Sequence, residues 1–176
     1  MNPLPLVTDP AEVRRLAKER EDVNWSFRRL LKDSDLDDRQ IDAVVHRAYR
    51  DVSARIDCRE CANCCRELVP ALGKKDVARL AAALEQTQEQ FSRAYLAKSP
   101  EPGRLEMNRK PCPLLEGRLC RLYADRPEAC RGYPFLDRPD FNGRSLMVLW
   151  NLPYCPLVFN TYEIAKLELG PLLFRG

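Results

Sequence analysis

The sequence predicts a mainly α protein with small irregular or β portions: a compact helical domain organised around a cysteine-ligated metal centre. Three observations carry this. Apolar residues recur at helical intervals through most of residues 10–56 and again through residues 157–169. Four thiols crowd into residues 58–65, which read Cys-Arg-Glu-Cys-Ala-Asn-Cys-Cys. Residues 110–135 are loop-rich, the kind of segment that metal ligation would staple.

Pro3 and Pro5 make the first residues an arm. Thr8 or Asp9 can cap a helix with Pro10 in its first turn. Val13, Leu16, Val23, Phe27 and Leu30 then carry the helical period to about Lys32. Residues 33–38 are a polar turn, in which Ser34 or Asp35 is placed to cap a second helix. Its apolar stripe is Ile41, Val44, Val45, Ala48, Tyr49, Val52 and Ile56. Residues 1–57 thus read as an N-terminal helical hairpin extension, and residues 58–176 as the cysteine-cluster metal-binding domain.

Beyond the cluster, residues 67–70 read as extended. A helix starts at residues 73–76 and shows Val77, Leu80, Ala81 and Leu84 on one face. Thr87 with Gln90 forms a capping box for a short helix bearing Phe91, Tyr95 and Leu96. Residues 98–103, with two prolines and a glycine, are a loop that would separate two halves of the domain. Residues 104–109 alternate weakly, as a strand does. Glu116 and Gly117 suit a tight turn that brings Cys112 and Cys120 together across a hairpin. Asp125 caps a short helix carrying Cys130, ended by Arg131, Gly132 and Pro134. Residues 145–150 read as a strand. Residues 157–169 form a closing helix stopped by Gly170 and Pro171.

At 176 residues the chain is long enough to bury a core without disulfides. The net charge of +3, mixed in sign, gives no reason to invoke nucleic acid or lipid. Residues 1–20 hold Asp9, Glu12, Arg14, Arg15, Lys18, Glu19 and Arg20, so they read as neither signal peptide nor membrane span. The expectation is a cytoplasmic protein, in which a cysteine cluster is metal-binding or redox-active rather than disulfide-bonded.

All eight cysteines, Cys58, Cys61, Cys64, Cys65, Cys112, Cys120, Cys130 and Cys155, are candidate metal ligands. Thiolate is a soft ligand suited to zinc and to iron–sulfur clusters, and cysteines two residues apart can turn toward one point. Cys64 and Cys65 are adjacent, so they serve different ions, or one of them is a neighbouring or redox thiol. The triple Cys58, Cys61, Cys64 matches the start of a bacterial ferredoxin run, and Cys112-Pro113 and Cys155-Pro156 resemble its closing step. Eight thiols would equally fill two tetrahedral zinc sites. His46, the only histidine, lies three turns upstream and is not assigned to the site. Arg59, Arg66, Arg121, Arg126 and Arg131 lie near cysteines in sequence. Any of them would offset thiolate charge if it faced the metal, or else pair with surface carboxylates.

The pattern C-x2-C-x2-C-C, followed by C-P-L-L-x4-C-x-L-Y-x2-R-P-x2-C-R-x-Y-P, resembles the YkgJ-like cysteine-cluster family. Its members are described as zinc- or iron-chelating domains and include a domain of flagellin lysine N-methylases. The resemblance spans residues 58 to 155. It places Cys58, Cys61, Cys64 and Cys65 on the first cluster, Cys112, Cys120 and Cys130 on the central motif and Cys155 on the late one. Tyr123, Arg126, Pro127, Arg131, Tyr133 and Pro134 match as well. It implies metal binding within a helical domain. The expected function is therefore chelation of iron, as an iron–sulfur cluster, or of zinc. The alternatives are a structural zinc module that binds another protein and a methyltransferase-like iron–sulfur enzyme. No Gly-rich nucleotide loop is found among the seven glycines.

Overall fold

The structure is a computed structural model that describes residues 5–173. It is mainly α, and the chain divides into two compact units. Met1–Cys61 and Pro134–Gly176 make the first; Ala62–Tyr133 make the second. Helices α1 (Pro10–Glu19), α2 (Glu21–Asp33), α3 (Asp38–Ser53) and α4 (Cys58–Cys61) open the first unit. The second unit runs α5 (Asn63–Glu67), β1 (Ala71–Leu72), α6 (Lys74–Ala83), α7 (Gln88–Tyr95), β2 (Leu96–Lys98), β3 (Leu105–Met107), β4 (Leu115–Glu116) and β5 (Leu119–Cys120). A 3-10 turn (Tyr123–Asp125) and α8 (Glu128–Arg131) complete it. The chain then supplies α9 (Phe141–Asn151) and α10 (Pro156–Leu173) to the first unit.

In the first unit α10 is the core helix. Its residues from Pro156 through Tyr162 are all buried, which a helix tolerates only when packed on several sides. α3 lies along it and buries Ile41, Val45, Ala48 and Val52, spaced as one helical stripe. The isoleucine and the two valines each contribute roughly 1.5–3 kcal/mol when taken from water. Tyr162 donates its hydroxyl to the Asn24 carbonyl at 3.0 Å and meets Phe27 edge-on at 5.4 Å, fixing α2 against α10.

Several local expectations change in this unit. Residues 145–150 are helical, not a strand. A five- or six-residue apolar run does not separate the two, and here the start signal decides: the Asp42 carboxylate accepts from the Asp140 and Phe141 N–H groups at 2.8 Å, and Asp140 accepts from Gly143. A Cβ at Gly143 would stand 2.3 Å from that carboxylate, so only glycine fits the cap. The first helix is not continuous to Lys32. It breaks at Arg20 (φ −100°, ψ 14°), whose guanidinium reaches Glu163 on α10 at 2.6 Å. The cap of α3 is Asp37, which accepts from Arg39 N–H at 2.7 Å, while the Ser34 hydroxyl turns back to donate to the Leu31 carbonyl. α10 also runs through Gly170 and Pro171 to Leu173. Proline is tolerated there because the Leu167 carbonyl it leaves unbonded sits on an exposed turn. Pro3 lies outside the described residues; Pro5 precedes α1 outside any helix or strand.

The second unit has its own core of Leu72, Val77, Leu80, Ala81, Phe91, Met107, Leu114 and Leu122, with Cys112 and Cys120 packed against it. Its three-stranded sheet has the order β1-β3-β2, antiparallel throughout. The loop at residues 99–103 joins β2 to β3 inside this unit, rather than separating two halves of a domain. Thr87 and Gln90 form the expected capping box. Gly117 (φ 61°) makes the expected turn, and Leu115 pairs with Cys120 across it.

One cap is displaced from its expected residue. Asp125 belongs to the 3-10 turn, because Pro127 forces Arg126 extended (φ −46°, ψ 144°) and delays the helix. α8 is capped instead from α6: the Asp76 carboxylate accepts from Glu128 N–H at 3.1 Å, from its own helix start at Gly73 N–H, and from Arg79. Arg79 in turn donates to the Asp125 and Arg126 carbonyls. The half-buried Asp76–Arg79 pair therefore fixes the segment that carries Cys130. Asp76→Ala should lower the urea unfolding stability of the second unit by about 2 kcal/mol, since two caps and a buried ion pair are lost together. Fluorescence-monitored urea titration would read it, and an unchanged midpoint would remove Asp76 from this role.

Candidate metal centre

The eight thiols are all free of disulfides, and they divide between the units. Cys58, Cys61 and Cys155 belong to the first; Cys64, Cys65, Cys112, Cys120 and Cys130 belong to the second. The cluster at residues 58–65 is not one helix. α4 ends at Cys61, Ala62 adopts a left-handed conformation (φ 49°, ψ 15°), and α5 starts at Asn63. Four sulfurs sharing one helical face, as an unbroken helix would give, is thereby ruled out.

In the second unit four elements converge. Cys65 lies on α5 and Cys112 in the loop before β4. Cys120 ends β5, and Cys130 lies on α8. The backbone joins the first two directly, with Cys112 N–H donating to the Cys65 carbonyl at 2.8 Å. Every pair among these four thiols is close enough for the charge on one to act on another. Among the described residues no group of three or more His, Cys, Asp or Glu side chains stands gathered for ligation.

Their electrostatics favour the neutral thiol. Cys65 is raised well above the ordinary thiol value, first by the hydrogen bond it shares with Cys64 and then by burial. Burial raises Cys112 and Cys120, and it pushes Cys130 up to about 12 with help from the three neighbouring thiols. Two groups act the other way. The N–H groups of Leu114 and Leu122 donate to the sulfurs of Cys112 and Cys120, two residues upstream of each, and so favour thiolate. The Arg126 guanidinium favours thiolate at Cys65, Cys120 and Cys130. Burial and mutual repulsion win while no cation is present.

Of the arginines near cysteines in sequence, only Arg126 faces three of the four thiols. Its Nε is buried and has no hydrogen-bond partner among the described residues, and its guanidinium lies over the Tyr123 ring at 3.6 Å. Arg59 pairs with Asp57, and Arg66 donates to the Gly117 carbonyl. Arg121 stands 3.9 Å from Glu116, and Arg131 donates to the carbonyls of Arg126 and Ala124. Thiol is the donor type that zinc and iron–sulfur clusters take, although these four sulfurs are not gathered about one point among the described residues. Sequence position alone did not single out Arg126. The one available signal was Pro127, which fixes its backbone.

In the first unit Cys155 is buried and Cys58 exposed. Both lie near the Tyr49 hydroxyl together with Asp137. Burial first, and then Asp137, Cys155 and Cys58, push that phenol up to about 12, so it stays neutral. His46 is half-buried, with Nε2 3.0 Å from the Arg138 carbonyl.

Residues 57–156 match the family model CxxCxxCC, described as "Putative zinc- or iron-chelating domain". Comparisons with the curated proteins and with the solved structures each found no match. No helix among the described residues is long and apolar enough to cross a membrane.

Without metal, alkylation of Cys130 should be slow at pH 7 and rise about tenfold per pH unit toward pH 11, as its thiolate fraction grows. Exposed Cys58 should be modified first. Mass-spectrometric mapping of labelled cysteines against pH would check this, and Cys130 labelling at neutral pH as fast as Cys58 would contradict it.

Proposed function

Because the chain belongs to the CxxCxxCC family, whose model covers more than half of it, we propose that it chelates zinc or iron and that Cys65, Cys112, Cys120 and Cys130 hold the metal. The observation that carries this reading is the family match itself, whose residues 57–156 contain all eight cysteines, with these four in one compact unit. Four thiolates are a complete ligand set for tetrahedral zinc, with no position left open for substrate. A metal held there cross-links α5, the β4–β5 hairpin and α8. Such ligation contributes on the order of 10 kcal/mol to folding in small zinc modules. The metal would thereby staple a segment, residues 110–133, built of two-residue strands, a 3-10 turn and a four-residue helix.

A second reading has a specific observation behind it. The spacing Cys58-x2-Cys61-x2-Cys64 is that of an iron–sulfur run. In that reading this run, rather than the four thiols of the first reading, supplies ligands to a cluster containing inorganic sulfide. Eight free thiols also support a reducing compartment, the cytoplasm.

Purification without oxygen or chelator, with an absorption spectrum and assays of zinc, iron and sulfide on one sample, separates these readings. A colourless protein with zinc supports the closed tetrahedral site. A brown protein with iron and sulfide in similar amounts supports the cluster. Absence of both metals would sink chelation. Serine in place of Cys65, Cys112, Cys120 or Cys130 should abolish stoichiometric metal and lower the stability of the second unit. Cys58→Ser should leave the metal of this set in place. Equal metal loss in all five variants would overturn the assignment of these four.

A further inference from the structure

We propose that the groove bounded by the starts of α6 and α7 and by the β2–β3 loop binds a small organic acid with an apolar body, its carboxylate set against Lys74 and Lys98. The groove has a volume of about 670 Å³ and is lined wholly by residues of the second unit. Small-molecule sites run to about 300–1,000 Å³, so it is of ordinary size for one. No cysteine lines it, and the proposal does not depend on the metal reading. Buried Leu72 and Val77 and half-buried Leu105 give it an apolar floor. Leu72 and Val77 belong to the core of the unit, which fixes that floor in place. The loop wall is held by its own backbone. Ser99 N–H donates to the Arg104 carbonyl at 3.3 Å, Arg104 N–H to the Glu101 carbonyl at 3.2 Å, and Glu101 N–H to the Ser99 hydroxyl at 3.2 Å. Gly103 supplies the left-handed step the loop requires (φ 74°). A wall already ordered spares a ligand that cost on binding.

Charge decides the class of ligand. The charged side chains lining the groove are Lys74, Lys98, Arg104, Glu89 and Glu101. Glu101 is paired with Arg104 at 3.2 Å, and Glu89 with Arg93 at 2.9 Å. Lys74 and Lys98 make no ion pair among the described residues, so two uncompensated cations border the apolar floor. Backbone N–H groups at the helix starts are already engaged. Asp76 accepts from Gly73 N–H at 3.1 Å at the start of α6, and the Thr87–Gln90 box closes α7. Recognition of an anion therefore falls to the two ammonium groups, which act as point charges. The planar fork or N–H cradle that a phosphate group ordinarily meets is not what they offer. A neutral apolar molecule would cover the floor and leave the lysines without a counter-charge. A bare hydrated anion would do the reverse. A carboxylate on an apolar chain satisfies both.

The test titrates the full chain, labelled with nitrogen-15, with octanoate and follows its backbone N–H signals. Signals around Lys74, Lys98 and Leu105 should shift and saturate at millimolar octanoate. Octanol, with the same chain length and no charge, should bind about tenfold more weakly, and inorganic phosphate should not displace octanoate. Lys74→Gln combined with Lys98→Gln should weaken octanoate about tenfold. Lys75→Gln, at an exposed position outside the groove, should leave its affinity unchanged. Absence of saturable shifts, or shifts confined to other residues, would overturn the site. Octanol bound as tightly as octanoate, or a double variant equal to wild type, would overturn the role of the two lysines. Displacement by inorganic phosphate would overturn the choice of an organic acid. Both lysines of the double variant are exposed. Should that variant still fail to fold, the octanoate, octanol and phosphate titrations of the wild-type chain decide.

Discussion

Sulfurs at Cys65, Cys112, Cys120 and Cys130 repel one another as soon as they ionise, and burial adds to the cost. Two thiolates about 4 Å apart repel by about 4 kcal/mol at an effective dielectric near 20. Four of them cannot stay charged together on the strength of two N–H···S bonds and one guanidinium. Protonated, they are four small, weakly polar groups beside the core of the second unit. A cation changes the balance at once, because its attraction to each sulfur exceeds the repulsion between them. On the proposed reading the four thiols are neutral until an ion binds them and anionic once it does.

The scaffold around the thiols has little tolerance for drift. Cys130 sits on a helix of four residues, too short to hold itself. It is held by Asp76 at its N-terminus and, through Arg79, by the carbonyls on either side of the Asp125–Arg126 peptide. Cys120 is held by a two-residue-per-strand hairpin that needs Gly117 in the left-handed region. Polar and backbone constraints thus add to the apolar packing of Cys112 and Cys120 against the core.

Much of this was legible in the sequence where a local signal is self-contained. Asp9 with Pro10, Thr87 with Gln90, and Gly117 each act within a few residues, and each does what its chemistry dictates. Signals that depend on a remote partner were not legible. Residues 145–150 are helical because Asp42, nearly a hundred positions earlier, caps them. Asp76 replaces Asp125 as a cap because a proline restricts the residue before it and a distant carboxylate is within reach. Among the thiols, spacing identified the chemistry but not the company. Adjacent Cys64 and Cys65 look equivalent in sequence, whereas Cys65 alone acts on Cys112, Cys120 and Cys130.

The first unit is assembled from two stretches of chain, and this sets an order of events during synthesis. Residues 62–133 leave the ribosome as a contiguous piece, with all four thiols of their set already present. α3 has by then been exposed for some time, but the helix that covers its apolar stripe, α10, has not yet been made. At roughly 5–20 residues per second, the missing stretch takes about 2–8 s to appear. Throughout that interval Ile41, Val45, Ala48 and Val52 remain uncovered by α10 on a nascent chain, where chaperones and neighbouring polypeptides compete for them. On the proposed reading the inserted piece can meanwhile capture its ion and close. Scarcity of the metal would therefore be felt first by a half-made chain rather than by the finished protein.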